Sequence, residues 1–218
     1  MILETIVVGL LETNCYVLGC DRTRQAIVID PGDDPSDILE VLGRHHLSLE
    51  RLVATHAHFD HLLAVRALQE ATGAPFYLSS ADRPLLDTQR WTAISWIGRD
   101  PGAPPEVHGD IAPGVPVMAG DLSLEVRRSP GHSPGGVILV DHEGRRALTG
   151  DTVFAGSIGR ADLPGGNLEV LLESIRSQIL TLPDDYVLLP GHGPSSTVLQ
   201  ERTSNPFLMT PSAFRRWG

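Results

Sequence analysis

Apolar residues along the chain fall into short runs rather than long stripes. Ile2 to Val8, Cys15 to Leu18, Ala26 to Ile29, Leu52 to Thr55, Phe76 to Leu78, Leu122 to Val126, Val137 to Val140, Ala147 to Thr149 and Tyr186 to Leu189 are rich in Val, Ile and Leu and bounded by turn residues. Runs of this length read as buried strands. Between some of them lie segments with helical spacing. One opens at Pro35-Ser36-Asp37 and carries Ile38, Leu39, Val41 and Leu42; a second follows His61 through Leu68; a third, from Asn167, carries Leu168, Leu171, Leu172, Ile175 and Ile179. Asn167 is suited to cap the third helix, its side chain accepting from the first free amide groups. Strands, a helix, mixed strands and helices, then a late helix and strand predict an α/β sandwich with helices outside packed sheets. Arg99 to Gly120 breaks the rhythm with Pro101, Pro104, Pro105, Pro113 and Pro116, and reads as a surface loop, either a lid or a plain connector.

Composition narrows the function. The 218 residues show no repeat or linker and are expected to form one domain over 1–218. All 17 cationic residues are arginine, so chemistries that need a primary amine, such as a Schiff base or a P-loop lysine, are excluded. With 27 acidic residues the net charge is −10, which argues against a nucleic-acid partner, since such binding needs a basic face. Met1-Ile2-Leu3-Glu4 lacks a basic leader region, and no apolar stretch approaches the ~18 residues of a membrane span. A cytoplasmic protein without membrane contact is expected. Cys15 and Cys20 are too few for a disulfide framework and are expected to be half-buried strand residues.

The nine histidines change the picture most. Thr55-His56-Ala57-His58-Phe59-Asp60-His61 follows directly on an apolar run. In extended chain His56 and His58 share a face, and a turn into the next helix swings Asp60 and His61 to an adjacent position. A fixed H-x-H-x-D-H pattern arises by chance roughly once in a thousand shuffled chains of this composition, so it is read as a site rather than as coincidence. His132, in Pro130-Gly131-His132-Ser133-Pro134-Gly135, Asp151, in Gly150-Asp151, and His192, in Pro190-Gly191-His192-Gly193, each follow a predicted strand and sit beside glycine. Strand ends of this kind gather ligands in one cleft. His45, His46, His108 and His142 lack such neighbours and are read as structural or solvent-exposed.

Imidazole and carboxylate donors without thiolates suit zinc, iron or manganese. Seven ligands divide into His56, His58 and His132 on one ion and Asp60, His61 and His192 on another, with Asp151 bridging. Two ions about 3.5–4 Å apart share a water, bring its pKa near 7, and polarise a carbonyl, so a metal-bound hydroxide attacks an acyl carbon without a Ser, Cys or Lys nucleophile. Asp60 has a second, catalytic role in this scheme: accepting a hydrogen bond from that nucleophile.

These residues resemble the metallo-β-lactamase fold superfamily over nearly the whole chain. The resemblance implies a four-layer αβ/βα sandwich holding two divalent ions, zinc first and iron or manganese also fitting. Gly150 to Gly166, Pro190-Gly191-His192-Gly193-Pro194 and Glu201 to Phe207 resemble the short bacterial branch of the glyoxalase II family. That branch implies hydrolysis of the small-molecule thioester S-D-lactoylglutathione to D-lactate and glutathione, without the C-terminal helical domain of longer relatives. Arg160 stands where those longer relatives present a lysine to glutathione, and Asp162 where they present an aromatic. Arg160 is therefore either a substrate-binding residue or a surface arginine paired with Asp162 or Glu169. Trp91, Trp96, Phe207 and Trp217 are candidate pocket-wall aromatics or core. Rival readings on the same fold are a single-iron persulfide dioxygenase, a lactone or other acyl hydrolase, a nuclease and a non-catalytic metal-binding module.

Overall fold

The computed structural model describes residues 1–209. One sheet takes its strands in chain order: β1 (Ile2–Val8), β2 (Thr13–Gly19), β3 (Gln25–Ile29), β4 (Ser48–Val53) and β5 (Phe76–Tyr77). β1, β2 and β3 are antiparallel, whereas β3, β4 and β5 are parallel. The parallel crossovers are helices α1 (Pro35–Arg44) and α2 (Val65–Thr72). A longer helix, α3 (Arg83–Ile97), follows β5.

The second sheet comes from the other half of the chain. Its strands are β6 (Val117–Ala119), β7 (Leu122–Arg128), β8 (Val137–Asp141), β9 (Arg146–Gly150), and, after the small hairpin β10 (Val153–Phe154) and β11 (Ser157–Ile158), β12 (Val187–Pro190) and β13 (Ser196–Thr197). They lie in the order β13-β12-β9-β8-β7-β6. Helix α4 (Leu168–Ser174) runs into a π-type turn at Ile175–Ile179 and returns the chain to β12, parallel to β9. Short helices α5 (Val198–Ser204) and α6 (Pro206–Met209) follow.

Three apolar cores separate four layers. Cys15, Val17, Ala26, Val28 and Leu52 face α1 and α2, where they meet Ile38, Val41, Val65 and Leu68. Their strand neighbours Tyr16, Leu18, Ile27, Ile29 and Val53 face inward against Val126, Val137, Leu139, Leu148 and Leu189 of the second sheet. Ile138, Val140, Ala147 and Leu188 then face outward onto Leu171, Leu172, Ile175 and Ile179. Strands covered on both faces cannot alternate apolar with polar, which is why they read as continuous apolar runs. The expected αβ/βα sandwich is the observed fold.

Several local expectations are corrected. α3 is absent from the predicted helices, and β6 lies inside the stretch read as loop. The helix expected from His61 begins at Val65, because Phe59–His61 first makes a 3₁₀ turn. Cys15 and Cys20 are buried rather than half-buried, and Cys20 follows β2 rather than lying in it. Pro101, Pro104 and Pro105 line a small pocket together with Leu62, Arg66, Leu86 and Arg90. Among the described residues no helix is long and apolar enough to cross a membrane.

Candidate metal centre

β7, β9 and β12 run in one direction and end at one edge of their sheet. The end of β4 meets that edge from the other sheet, the Thr55 carbonyl accepting from Val137 N–H at 2.9 Å. Each strand end releases one ligand loop: His56 to His61 after β4, His132 after β7, Asp151 after β9, His192 after β12. All seven predicted ligands come together here.

Two donor sets form. In the first, His132 Nε2 lies 2.8 Å from His58 Nδ1 and 3.2 Å from His56 Nε2. His132 Nδ1 is 2.7 Å from the Arg160 carbonyl, which only accepts, so Nδ1 carries the ring hydrogen and Nε2 presents a lone pair. In the second, Asp60 Oδ2 lies 3.2 Å from His192 Nε2 and 3.6 Å from His61 Nε2. His192 Nδ1 donates to the Leu11 carbonyl at 3.0 Å, which again turns Nε2 inward. Asp151 stands between the sets, Oδ1 3.5 Å from His61 Nε2 and Oδ2 3.5 Å from His132 Nε2.

Within each group of three, ligand atoms lie within 4.8 Å of one another. Both His61 nitrogens and Asp151 Oδ1 are buried without a hydrogen-bond partner, although His61 Nδ1 is 3.1 Å from Asp30 Oδ2. Lone pairs converging at hydrogen-bond distance and orphaned buried polar atoms are costly unless a cation sits among them. The residues fit a pair of divalent ions.

The electrostatics divide the two sets. Burial, reinforced by neighbouring histidines, pushes His56 well below its ordinary value and His58 down to about 4. Both are thus held neutral, as metal ligation requires. Burial also opposes charge on His61 and His192, but Asp60 and Asp151 outweigh it and raise both. Burial raises the Asp60 and Asp151 carboxyls, and the facing histidines reverse that, so both end below the usual carboxylate range.

Sequence reasoning missed the supports behind the ligands. Asp30, buried at the end of β3, accepts from Thr55 N–H at 2.6 Å and Thr55 Oγ1 at 2.8 Å. Its place repeats the ligand pattern, a polar residue after an apolar run and before Pro31-Gly32, which was the available signal. Asp82, ahead of α3, and Gln89, which accepts from Phe59 N–H at 2.9 Å, had no local signal. Glu201 is buried and accepts from Gly156 N–H at 3.0 Å and from Asn205 Nδ2 at 2.7 Å, bracing the β10–β11 turn. Gly191 must be glycine, because a Cβ there would lie 2.1 Å from Asp151 Oδ1.

The centre floors a cleft of about 740 Å³ walled by Leu11, Phe59, Leu85, Trp96, Phe154 and Leu163, among others. Arg160 also lines it. Its guanidinium is forked onto Asp162 at 2.8 Å through both Nε and Nη2 and lies 5.7 Å over the Trp96 ring. The pairing with Asp162, one of the alternatives for this arginine, is present, and the side chain also reaches the cleft. Of the other aromatics, Trp91 is exposed, Phe207 packs against the outer core of the second sheet, and Trp217 lies outside the described residues. His45 contacts Glu4, and His142 contacts Glu125 and Tyr186, away from the centre.

A family profile described as the metallo-beta-lactamase superfamily matches residues 8–192, and the chain belongs to that superfamily of metal-dependent hydrolases. Over 202 residues it is 36% identical to a probable metallo-hydrolase, YqgX, of Bacillus subtilis, covering 92% of this chain and 94% of the relative. It is 33% identical to the hydroxyacylglutathione hydrolase GloC of Haemophilus influenzae, covering 97% and 100%. Among solved structures it resembles the BLEG-1 B3 metallo-beta-lactamase (TM-score 0.89, 35% identity, 96% of this chain and 100% of that one). TTHA1623 in a di-iron-bound form gives 0.86 at 36% identity, covering 94% and 100%. ETHE1 from Myxococcus xanthus gives 0.79 at 28%, covering 94% and 84%.

Proposed function

We propose that the chain is a dinuclear metal-dependent thioester hydrolase of the hydroxyacylglutathione type, acting on S-D-lactoylglutathione to give D-lactate and glutathione. The observation that carries this reading is the complete double donor set, joined by Asp151, at the floor of an apolar-walled cleft. Two ions bound there, zinc or iron, would supply a water ionised near neutral pH and polarisation of the substrate carbonyl. Asp60 Oδ2 lies 3.2 Å from His192 Nε2 and takes a further contact from Thr13 Oγ1 at 3.4 Å; beside its place in the second donor set, this carboxylate would accept a hydrogen bond from the attacking water and orient it. Phe59, Trp96, Leu85 and Leu163 offer the thioester an apolar wall. Arg160 faces the carboxylates of the thiol carrier. The full-length likeness to GloC supports the choice of substrate.

A single-iron persulfide dioxygenase needs only two histidines and one aspartate, and Asp60, His61 and His192 together exceed that requirement. The deciding experiment is a steady-state assay on S-D-lactoylglutathione beside a non-glutathione thioester, a lactone and a β-lactam, with metal counted on the same sample. Thioester turnover with two ions per chain is expected. One iron per chain with oxygen uptake on glutathione persulfide, or an intact thioester in a fully loaded sample, overturns the proposal.

A further inference from the structure

Asp82 is fully buried just before α3, and among the described residues no arginine or histidine forms an ion pair with it. A buried carboxylate without a cation is expensive and persists only where donors replace water. Here three donors do so. Oδ2 accepts from Ala57 N–H at 3.0 Å and from Ser133 Oγ at 2.8 Å, and Oδ1 accepts from Gly135 N–H at 2.5 Å. Every partner donates and none accepts, which is the pattern of an ionised carboxylate.

The identity of those donors matters more than their number. Ala57 lies between His56 and His58, while Ser133 and Gly135 follow His132. One side chain therefore ties the two loops that supply the first donor set, from sequence positions more than seventy residues apart. The loops come from different sheets, and at this point they bring His132 Nε2 to 2.8 Å from His58 Nδ1 and 3.2 Å from His56 Nε2. Room for the tie is reserved at Gly135, where a Cβ would lie 2.6 Å from Asp82 N and 2.8 Å from its carboxyl.

We propose that Asp82 is a positioning residue for the first metal ion, clamping the His56–His58 and His132 loops into register from behind and placing a fixed negative charge there. This rests on the dinuclear reading of the site and adds a residue that ligates nothing and faces no substrate. Groups that support ligands from behind typically change metal affinity by about 10–100-fold when removed.

The test is chelator competition on wild type and Asp82→Asn, with metal stoichiometry, the cobalt(II) absorption spectrum and thermal melting of the metal-free protein read in parallel. Asp82→Asn is expected to lower affinity for one of the two ions at least tenfold and to alter the cobalt spectrum, while the other ion stays bound. Gly135→Ala, which pushes on the same carboxyl, is expected to give a similar loss. Ser133→Ala, which removes one donor, is expected to give a smaller one and provides a folded sample should Asp82→Asn not express. Two ions bound at wild-type affinity in Ser133→Ala and in the other variants, with only metal-free melting changed, overturns the proposal and makes Asp82 a structural residue. A wild-type protein that never binds two ions refutes the dinuclear reading instead, and the two failures are distinct.

Discussion

At the scale of single residues, what matters is which side chains lack any other partner. His61 and Asp151 keep buried polar atoms without a hydrogen-bond partner, which a cation at the centre would satisfy. His58 is half-buried and contacts other ligands. Replacing His58 or Asp151 by alanine is expected to remove metal from the protein and lower thioesterase turnover by at least a hundredfold, checked by metal analysis and kinetics on the same samples; full activity in either variant sinks the dinuclear scheme. Arg160 poses a subtler case. Its fork is already filled by Asp162, and an exposed pair of this kind is weak and easily exchanged. Asp162→Asn should therefore free the guanidinium and lower KM for S-D-lactoylglutathione by about threefold with kcat unchanged, while Arg160→Ala raises it. Unchanged KM in both variants assigns Arg160 to the surface.

At the scale of elements, legibility followed the range of the interactions. Asn167 caps α4 by accepting from Val170 N–H at 3.1 Å, a contact three residues long that its position alone indicated. The His56 to His61 motif was equally local. α3 was not legible, because it packs few side chains into a core: Leu86, Gln89 and Ala93 are buried while Trp91 and Trp96 are exposed. A helix that walls a cleft does not need the broad apolar stripe by which helices are recognised. Asp30 carried a local signal in its place after an apolar run, whereas Asp82 carried none, its partners lying 25 to 53 residues away. Nor does spacing reveal that His58 presents Nδ1 where His56 and His132 present Nε2. Glu201 stands between these cases. It lay in a stretch that resembled the glyoxalase II family, yet its work, holding Gly156 N–H and Asn205 against the β10–β11 turn, shows only in the fold. Because Phe154, Ser157 and Ile158 of that hairpin line the cleft, Glu201→Ala is expected to cost about 2 kcal/mol in urea unfolding and to raise KM. An unchanged unfolding midpoint refutes that role.

At the scale of the molecule, the metal centre is also the seam between the two halves of the chain. Ligands come from one sheet at His56 to His61 and from the other at His132, Asp151 and His192, so bound ions tie the sheets together and their loss loosens that tie. A ligand at a hundred times its dissociation constant stabilises by about 2.7 kcal/mol, and each kcal/mol moves Tm by roughly 2–4 °C in a chain of this size. Chelation is therefore expected to lower Tm by about 5–10 °C for each ion removed. The pH dependence has a definite sign. His58 is held at about 4, below its unfolded value, so its contribution to the metal-free fold is present above pH 6.5 and drains away as pH falls toward 4. Asp60 and Asp151, also depressed, lose their contribution at lower pH, as each falls through its folded value. His61 and His192 are raised, so their pairing with the carboxylates is complete below the unfolded value and is lost as pH rises through the folded one. Those two rings hold the protons that bound metal must displace, so metal affinity rises with pH. Melting curves recorded from pH 5 to 8 with and without metal should then diverge as pH rises, the loaded protein gaining over the metal-free one. Parallel curves across that range would mean that no protons leave His61 or His192 on binding, and hence that the second donor set holds no ion.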